Sequence, residues 1–173
     1  VYCGSGHGDL PAYADAAWKF GELLAERDIT LIFGGGHVGL MGAVADATLE
    51  AGGRVEGVIP QSLVERELAH PSANEMHVVQ SMHDRKALMA QLSDAFVALP
   101  GGIGTLDELF EIWTWRQIGL HSKPIGVLNI KDYWTPLLNM ADNMDGHGFL
   151  HRNARDMIVS DQDGAKLLEE LLA

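Results

Sequence analysis

Ala95-Phe96-Val97-Ala98-Leu99-Pro100-Gly101-Gly102-Ile103-Gly104-Thr105-Leu106-Asp107-Glu108 passes from an apolar run through a glycine turn into a helical pattern. Glycines let the backbone approach a ligand closely and adopt φ > 0, and a helix start offers unpaired N–H groups at the positive end of its dipole. That combination suits an anion, most often a phosphate. Two acids, Asp107 and Glu108, fall in what the pattern reads as the first helical turn. There they would repel a phosphate unless they have another task.

The same succession occurs earlier in the chain. Val1-Tyr2-Cys3 leads into Gly4-Ser5-Gly6-His7-Gly8 and a helix from Pro11 to about Glu26. Ile29 to Phe33 leads into the turn Gly34 to Gly42 and a helix to about Ala51. Strands are further expected at Arg54–Ile59, Met76–Val79, Ile125–Asn129 and Met157–Val159. Pro60 to Asn74 reads as a short helix and a loop. Ser81 is placed to cap a helix from about Met82 to Ser93 with Asp84 in its first turn, and the helix after the opening motif runs to about Ile118. Helices at about Tyr133–Met144 and Gly164–Leu172 complete the chain. Short apolar strands alternating with amphipathic helices imply a Rossmann-like α/β fold, a doubly wound parallel sheet with helices on both faces. No linker or low-complexity stretch divides residues 1–173, so a single domain is expected. The glycine turns then gather at the carboxyl ends of the strands, where such folds bind ligands.

A hydrophobic content of 47% with 21% charged residues is that of a soluble globular protein. No apolar run is long enough to span a bilayer and no signal peptide is apparent; Val1 already lies within an apparent strand, so further residues upstream are expected. The single cysteine, Cys3, permits no intramolecular disulfide, and a cytoplasmic location is the simplest expectation. The net charge of −12, with no basic patch, argues against nucleic acid as a partner and would oppose an anionic ligand. A phosphate site must therefore be built from local donors and cations.

Two residues stand out. On the helix after Ser81, Met82, Arg85, Met89 and Leu92 share one face, so Arg85 lies on an otherwise apolar stripe. A guanidinium held there needs an anionic partner, or must reach out to solvent. Glu108 completes a capping-box pattern with Thr105 as N-cap; alternatively it points past a bound phosphate toward the group that reacts. Other signals are weaker. Gly34 to Gly39 fits the dinucleotide fingerprint, but its acid, Glu56, lies in mid-strand and the turn follows the second strand rather than the first. The eight histidines, His7, His37, His70, His77, His83, His121, His147 and His151, show no metal-ligand spacing. No metal and no cofactor is expected. His83 shares the first helical turn with Arg85 and is placed to border the site, and Trp115 shares a helical face with Glu108 and Glu111.

The motifs Gly34 to Gly42, Ser81-Met82-His83-Asp84-Arg85-Lys86 and Pro100 to Glu108 together resemble the LOG (Lonely guy) family of cytokinin riboside 5′-monophosphate phosphoribohydrolases, often labelled lysine decarboxylases. The likeness runs along essentially the whole chain. It implies hydrolysis of the N-glycosidic bond of AMP or an N6-modified AMP, giving free base and ribose 5-phosphate. It further implies Arg85 and Glu108 as the catalytic pair, and Gly101, Gly102, Gly104 and Thr105 as phosphate contacts. Ser5, Gly36, Met82, Lys86, Asp107 and Thr114 are implied as further substrate neighbours. On this reading Arg85 and Lys86 offset the phosphate charge, and Arg85 lowers the pKa of Glu108. The family's first strand ends in G-S-S, whereas this chain has Gly4-Ser5-Gly6, which removes one hydroxyl from the expected site. A homodimer or higher homo-oligomer is implied, with the site near a subunit interface.

Two rival readings remain open on the sequence. One is a non-enzymatic carrier of a nucleotide or of molybdenum cofactor on the same fold, since fold alone does not separate carrier from hydrolase. The other is pyridoxal-dependent lysine decarboxylation, for which Lys86 is the only lysine near the inferred site.

Overall fold

The computed structural model describes residues 1–66, 68–150 and 153–173. Glu67, in the Pro60–Asn74 stretch, and His151 lie outside the described residues. The elements run α1 (Pro11–Glu26), β1 (Leu31–Phe33), α2 (Gly39–Glu50), β2 (Val55–Pro60), α3 (Gln61–Val64), β3 (Glu75–Val79), α4 (Met82–Leu92), β4 (Phe96–Ala98), α5 (Ile103–Gln117), β5 (Ile125–Leu128), α6 (Thr135–Gly146), β6 (Ile158–Asp161) and α7 (Gly164–Leu172). All strand pairs are parallel, in two three-stranded runs ordered β1-β2-β3 and β4-β5-β6.

The first residues join the two runs. Tyr2 forms a parallel bridge with Ala98, its N–H donating to Val97 and its carbonyl accepting from Leu99, each at 2.9 Å. On its other side the Val1 nitrogen donates to the Ile32 carbonyl. The expected strand at Val1–Cys3 is thus a single bridge, and it sits between β1 and β4, where the strand order reverses. The turns that leave Cys3 and Leu99 are therefore neighbours, as a doubly wound sheet requires of its ligand crevice.

Alternation along the strands divides the core in two. Leu31, Phe33, Val97 and Leu99 pack with Phe20 and Leu24 of α1, Leu40 and Val44 of α2, and Leu167 and Leu171 of α7. Ile32, Phe96 and Ala98 face the other way, against Met89 of α4, Leu109, Ile112 and Trp113 of α5, and Leu138 of α6. β1, β4 and β5 are buried on both faces, which is why their apolar runs in the sequence are continuous, whereas β3 is half-buried or exposed along its length. The doubly wound parallel sheet is as expected, and α1 and α7 have the expected bounds. Ser81 caps α4, accepting from the Asp84 N–H at 3.1 Å.

At the start of α2, Gly39 has φ +61° and no room for a side chain, because a Cβ there would overlap the Ser5 carbonyl. The Leu40 N–H donates to the carbonyls of Gly4 and Gly6 at 3.0 and 3.3 Å, so this helix start holds the Gly4–Gly6 turn in place. Gly39→Ala is expected to destabilise the fold by about 2 kcal/mol or more, lowering Tm by roughly 4–8 °C, as read by thermal unfolding.

Candidate active site

Arg85 projects from the first turn of α4 into the space between the two strand runs and is only 9% exposed. Its Nε donates to the Val58 carbonyl at 3.2 Å and its Nη2 to the Gly34 carbonyl at 3.1 Å. Nη1 lies 3.4 Å from Glu108 Oε1 and 3.9 Å from Met82 Sδ. The expected anionic partner exists, but two backbone carbonyls share the guanidinium with it. Gly34 is glycine because the guanidinium lies directly on its Cα; any Cβ would overlap Nη2. The turn Gly34–Gly39 therefore seats Arg85. Glu56, the acid the dinucleotide reading needed, pairs instead with Arg54 at 2.9 Å and His77 at 3.4 Å. Burial opposes its ionisation, but those two partners hold its carboxyl below the usual range.

Glu108 is 8% exposed. Burial pushes its carboxyl above the usual range, and the opposing pull of Arg85 offsets this only in part. The expectation that Arg85 lowers the pKa of Glu108 holds for that one contribution; desolvation outweighs it.

The opening motif also folds differently from the capping-box pattern. The N-cap of α5 is Gly102, no side chain caps it, and Thr105 is the third helical residue. Asp107 and Glu108 accordingly lie in the second turn, beyond the three leading N–H groups of Ile103, Gly104 and Thr105, which have no partner within the helix. None of Gly101, Gly102 and Gly104 has a positive φ. Gly101 is needed for close approach instead: the Thr105 hydroxyl sits over its Cα, where a side chain would overlap it.

Lys86 departs from expectation. Its Nζ pairs with Asp107 Oδ2 at 3.0 Å and Glu111 Oε2 at 2.6 Å. Burial alone would lower its pKa, but the two carboxylates outweigh it and hold the ammonium above its ordinary value. Lys86 thus ties α4 to α5 and is already neutralised, so it does not stand free to offset a phosphate. Glu111, not among the expected site residues, is found only through this contact.

A cleft of about 270 Å³ is lined by Cys3, Gly4, Ser5, Met41, Met82, Arg85, Asp107, Glu108 and the segment Gly102–Thr105. Of the expected site residues it gathers Ser5, Met82, Arg85, Gly102, Gly104, Thr105, Asp107 and Glu108. Gly101 lies directly behind Thr105. Gly36 is buried under the Pro60–Asn74 loop, bridging Ala69, and does not line the cleft. Thr114 is exposed, six residues beyond Glu108 and so about 9 Å along α5. His83 is exposed outside the cleft, and Trp115 packs against the second core. At Gly6 a Cβ would meet nothing within 4 Å, so the missing hydroxyl leaves space rather than a filled contact. Away from the cleft, Glu56, Glu75 and His77 bring three ligand atoms within 4.8 Å of one another, a grouping invisible in the spacing. Arg54 already bridges the two carboxylates. Gly34→Ala is expected to drive Arg85 from its seat and cost about 2–4 kcal/mol of stability, seen as a lower urea midpoint at unchanged m-value.

Three comparisons bear on this arrangement. The model of a family described as "Possible lysine decarboxylase" matches residues 41–171. A probable cytokinin riboside 5′-monophosphate phosphoribohydrolase of Oryza sativa subsp. japonica is 47% identical over 171 residues, covering 99% of this chain and 70% of the relative. A cytokinin riboside 5′-monophosphate phosphoribohydrolase of Arabidopsis thaliana is also 47% identical, covering 99% and 80%. Among solved structures, the molybdenum cofactor binding protein from Rippkaea orientalis superposes with TM-score 0.74 at 20% identity, covering 99% of this chain and 94% of that one. The Moco carrier protein from Chlamydomonas reinhardtii gives 0.72 at 20%, covering 96% and 92%. The structural likeness establishes the fold; the sequence likeness establishes that this chain belongs to the LOG family of cytokinin riboside 5′-monophosphate phosphoribohydrolases.

Proposed function

We propose that this protein hydrolyses the N-glycosidic bond of AMP or an N6-modified AMP, releasing free base and ribose 5-phosphate. The observation that carries the reading is a buried Arg85–Glu108 pair, 3.4 Å apart, opening into the same cleft as the unpaired N–H groups that start α5. The N–H groups of Ile103, Gly104 and Thr105 take the 5′-phosphate, aided by the helix dipole. Glu108, one turn further on, then faces the sugar. Cleavage of a glycosidic bond passes through an oxocarbenium-like state, which a nearby carboxylate stabilises while taking a proton from the attacking water. Arg85 holds that carboxylate in place and favours its ionised form. Met41, Met82 and the exposed Ile103 offer an apolar rim for the base.

The carrier reading fits the fold equally but leaves the Arg85–Glu108 pair without a task. Pyridoxal chemistry needs an unprotonated lysine; among the described residues no lysine lines the cleft, and Lys86, next to Arg85, is held protonated by two carboxylates. The proposal includes a homodimer or higher homo-oligomer. Ile103 and Phe110 are exposed on α5, and Ile118 and Leu120 just beyond it, with Ile103 at the cleft itself. No helix among the described residues is long and apolar enough to cross a membrane. A cytoplasmic location is part of the same proposal, and no nucleic acid is expected as a partner.

Nucleoside monophosphates assayed with and without the 5′-phosphate, and scored for base release by chromatography, test the reading. Glu108→Gln is expected to lower kcat by at least about 10²-fold while AMP still binds; near-full turnover would overturn the mechanism. Because the carboxylate is the active form and burial raises its pKa, the acid limb of kcat/KM is expected at higher pH than an exposed glutamate would give. Arg85→Met should move that limb higher still, since it removes the contribution that favours ionisation.

A further inference from the structure

Tyr133 lies 25 residues beyond Glu108, the end of the opening motif, in the turn between β5 and α6, and nothing in its surroundings in the sequence ties it to the cleft. Its hydroxyl donates to the Gly101 carbonyl at 2.5 Å. Its ring meets Tyr13 edge-on at 5.7 Å and Trp134 at 5.0 Å, so the aromatic body is fixed independently of the hydroxyl. Together with Gly4, Ser5, Pro100, Gly101 and Gly102 it lines a second cleft of about 320 Å³, which shares Gly4, Ser5 and Gly102 with the first.

The turn that presents Tyr133 is strained. Lys131 and Asp132, both non-glycine, have φ +53° and +60°, a conformation unfavourable to L-residues. Such strain persists only where the surroundings over-determine it. Here Asn129, 8% exposed, accepts from the Trp134 N–H at 2.6 Å and donates to the Thr135 hydroxyl at 3.1 Å. Gln162 donates to Asp132 Oδ1 at 2.9 Å, and the Tyr133 N–H donates to Ile130 at 3.1 Å.

We propose that Tyr133 is a positioning residue for the phosphate-binding turn, a role that rests on the phosphate reading above. In a trans peptide the carbonyl and the next N–H point in opposite directions. With the Gly101 carbonyl drawn to the Tyr133 hydroxyl, the Gly102 N–H is held facing away from Tyr133, and Gly102 itself lines the cleft. The carbonyls on either side are held by the Gly4 and Leu106 N–H groups, at 3.0 and 3.1 Å. The Tyr133 hydroxyl fixes the peptide between them, where glycine would otherwise lose much conformational freedom on being ordered. Preordering it improves anion binding in ground and transition states alike, so the effect falls on affinity rather than on the chemical step.

Tyr133→Phe removes the hydroxyl and keeps the ring. Steady-state hydrolysis of AMP, calorimetric titration with ribose 5-phosphate and thermal unfolding are measured on this variant and the parent. The expected result is KM for AMP and Kd for ribose 5-phosphate both raised roughly five- to tenfold, with kcat and Tm little changed. An unchanged Kd for ribose 5-phosphate overturns the proposal, whatever happens to kcat and Tm. Parent protein that binds ribose 5-phosphate but releases no adenine overturns the hydrolase reading alone, and the Kd comparison still decides on Tyr133. Parent protein that binds no ribose 5-phosphate overturns both.

Discussion

A single guanidinium joins the two halves of this molecule. Arg85 leaves α4, touches the Gly34 carbonyl just after β1 and one within β2, and meets the carboxylate of Glu108 on α5. Burying an arginine is costly unless its donors are met, and here two carbonyls and a carboxylate meet them. Removing any one leaves a charge or a polar group stranded at the centre of the fold. Gly34 is the steric counterpart of that arrangement, since the guanidinium occupies the space a side chain would take. Stability and the candidate chemistry therefore draw on the same contacts.

Consecutive residues on one helix point about 100° apart, and Arg85 and Lys86 show what that separation achieves. Arg85 turns inward to Glu108. Lys86 turns along the helix pair to Asp107 and Glu111, closing the distance between α4 and α5. In a chain of net charge −12 this matters for an anionic ligand. Both nearby cations are already committed to carboxylates, so under the proposed function the unpaired N–H groups of α5 would carry most of the attraction. Their strength depends on geometry, which gives the peptides of the Pro100–Gly102 turn more weight than their size suggests.

Much of the fold is legible in the order of residues because strand and helix periodicities are local. The continuous apolar runs at Ile29–Phe33 and Ala95–Leu99 reveal two-sided burial, and Pro11, Ser81 and Gly164 mark helix starts that the structure retains. Arg85 was conspicuous because a charge interrupts an apolar face. The capping-box pattern at Thr105 misled for an equally local reason: four residues of the right type do not say where a helix begins. The start at Gly102 moves Glu108 into the second turn, where it turns to the cleft instead of to its own backbone.

Contacts between distant segments are of a different kind. The site of Tyr133 against Gly101, the clamp of Lys86 on Glu111, and the grouping of Glu56 with Glu75 and His77 depend on which strands become neighbours. So does the balance at Glu108, where burial outweighs the arginine beside it. The sequence by itself determined the alternation of elements, the parallel doubly wound sheet, the glycine turns at its carboxyl edge and the two residues that stand out on their helices. Tertiary structure alone decided what those residues touch and how far each is desolvated. Periodicity acts through the nearest few residues, whereas partnership and local dielectric are set by segments that meet only when the sheet is assembled.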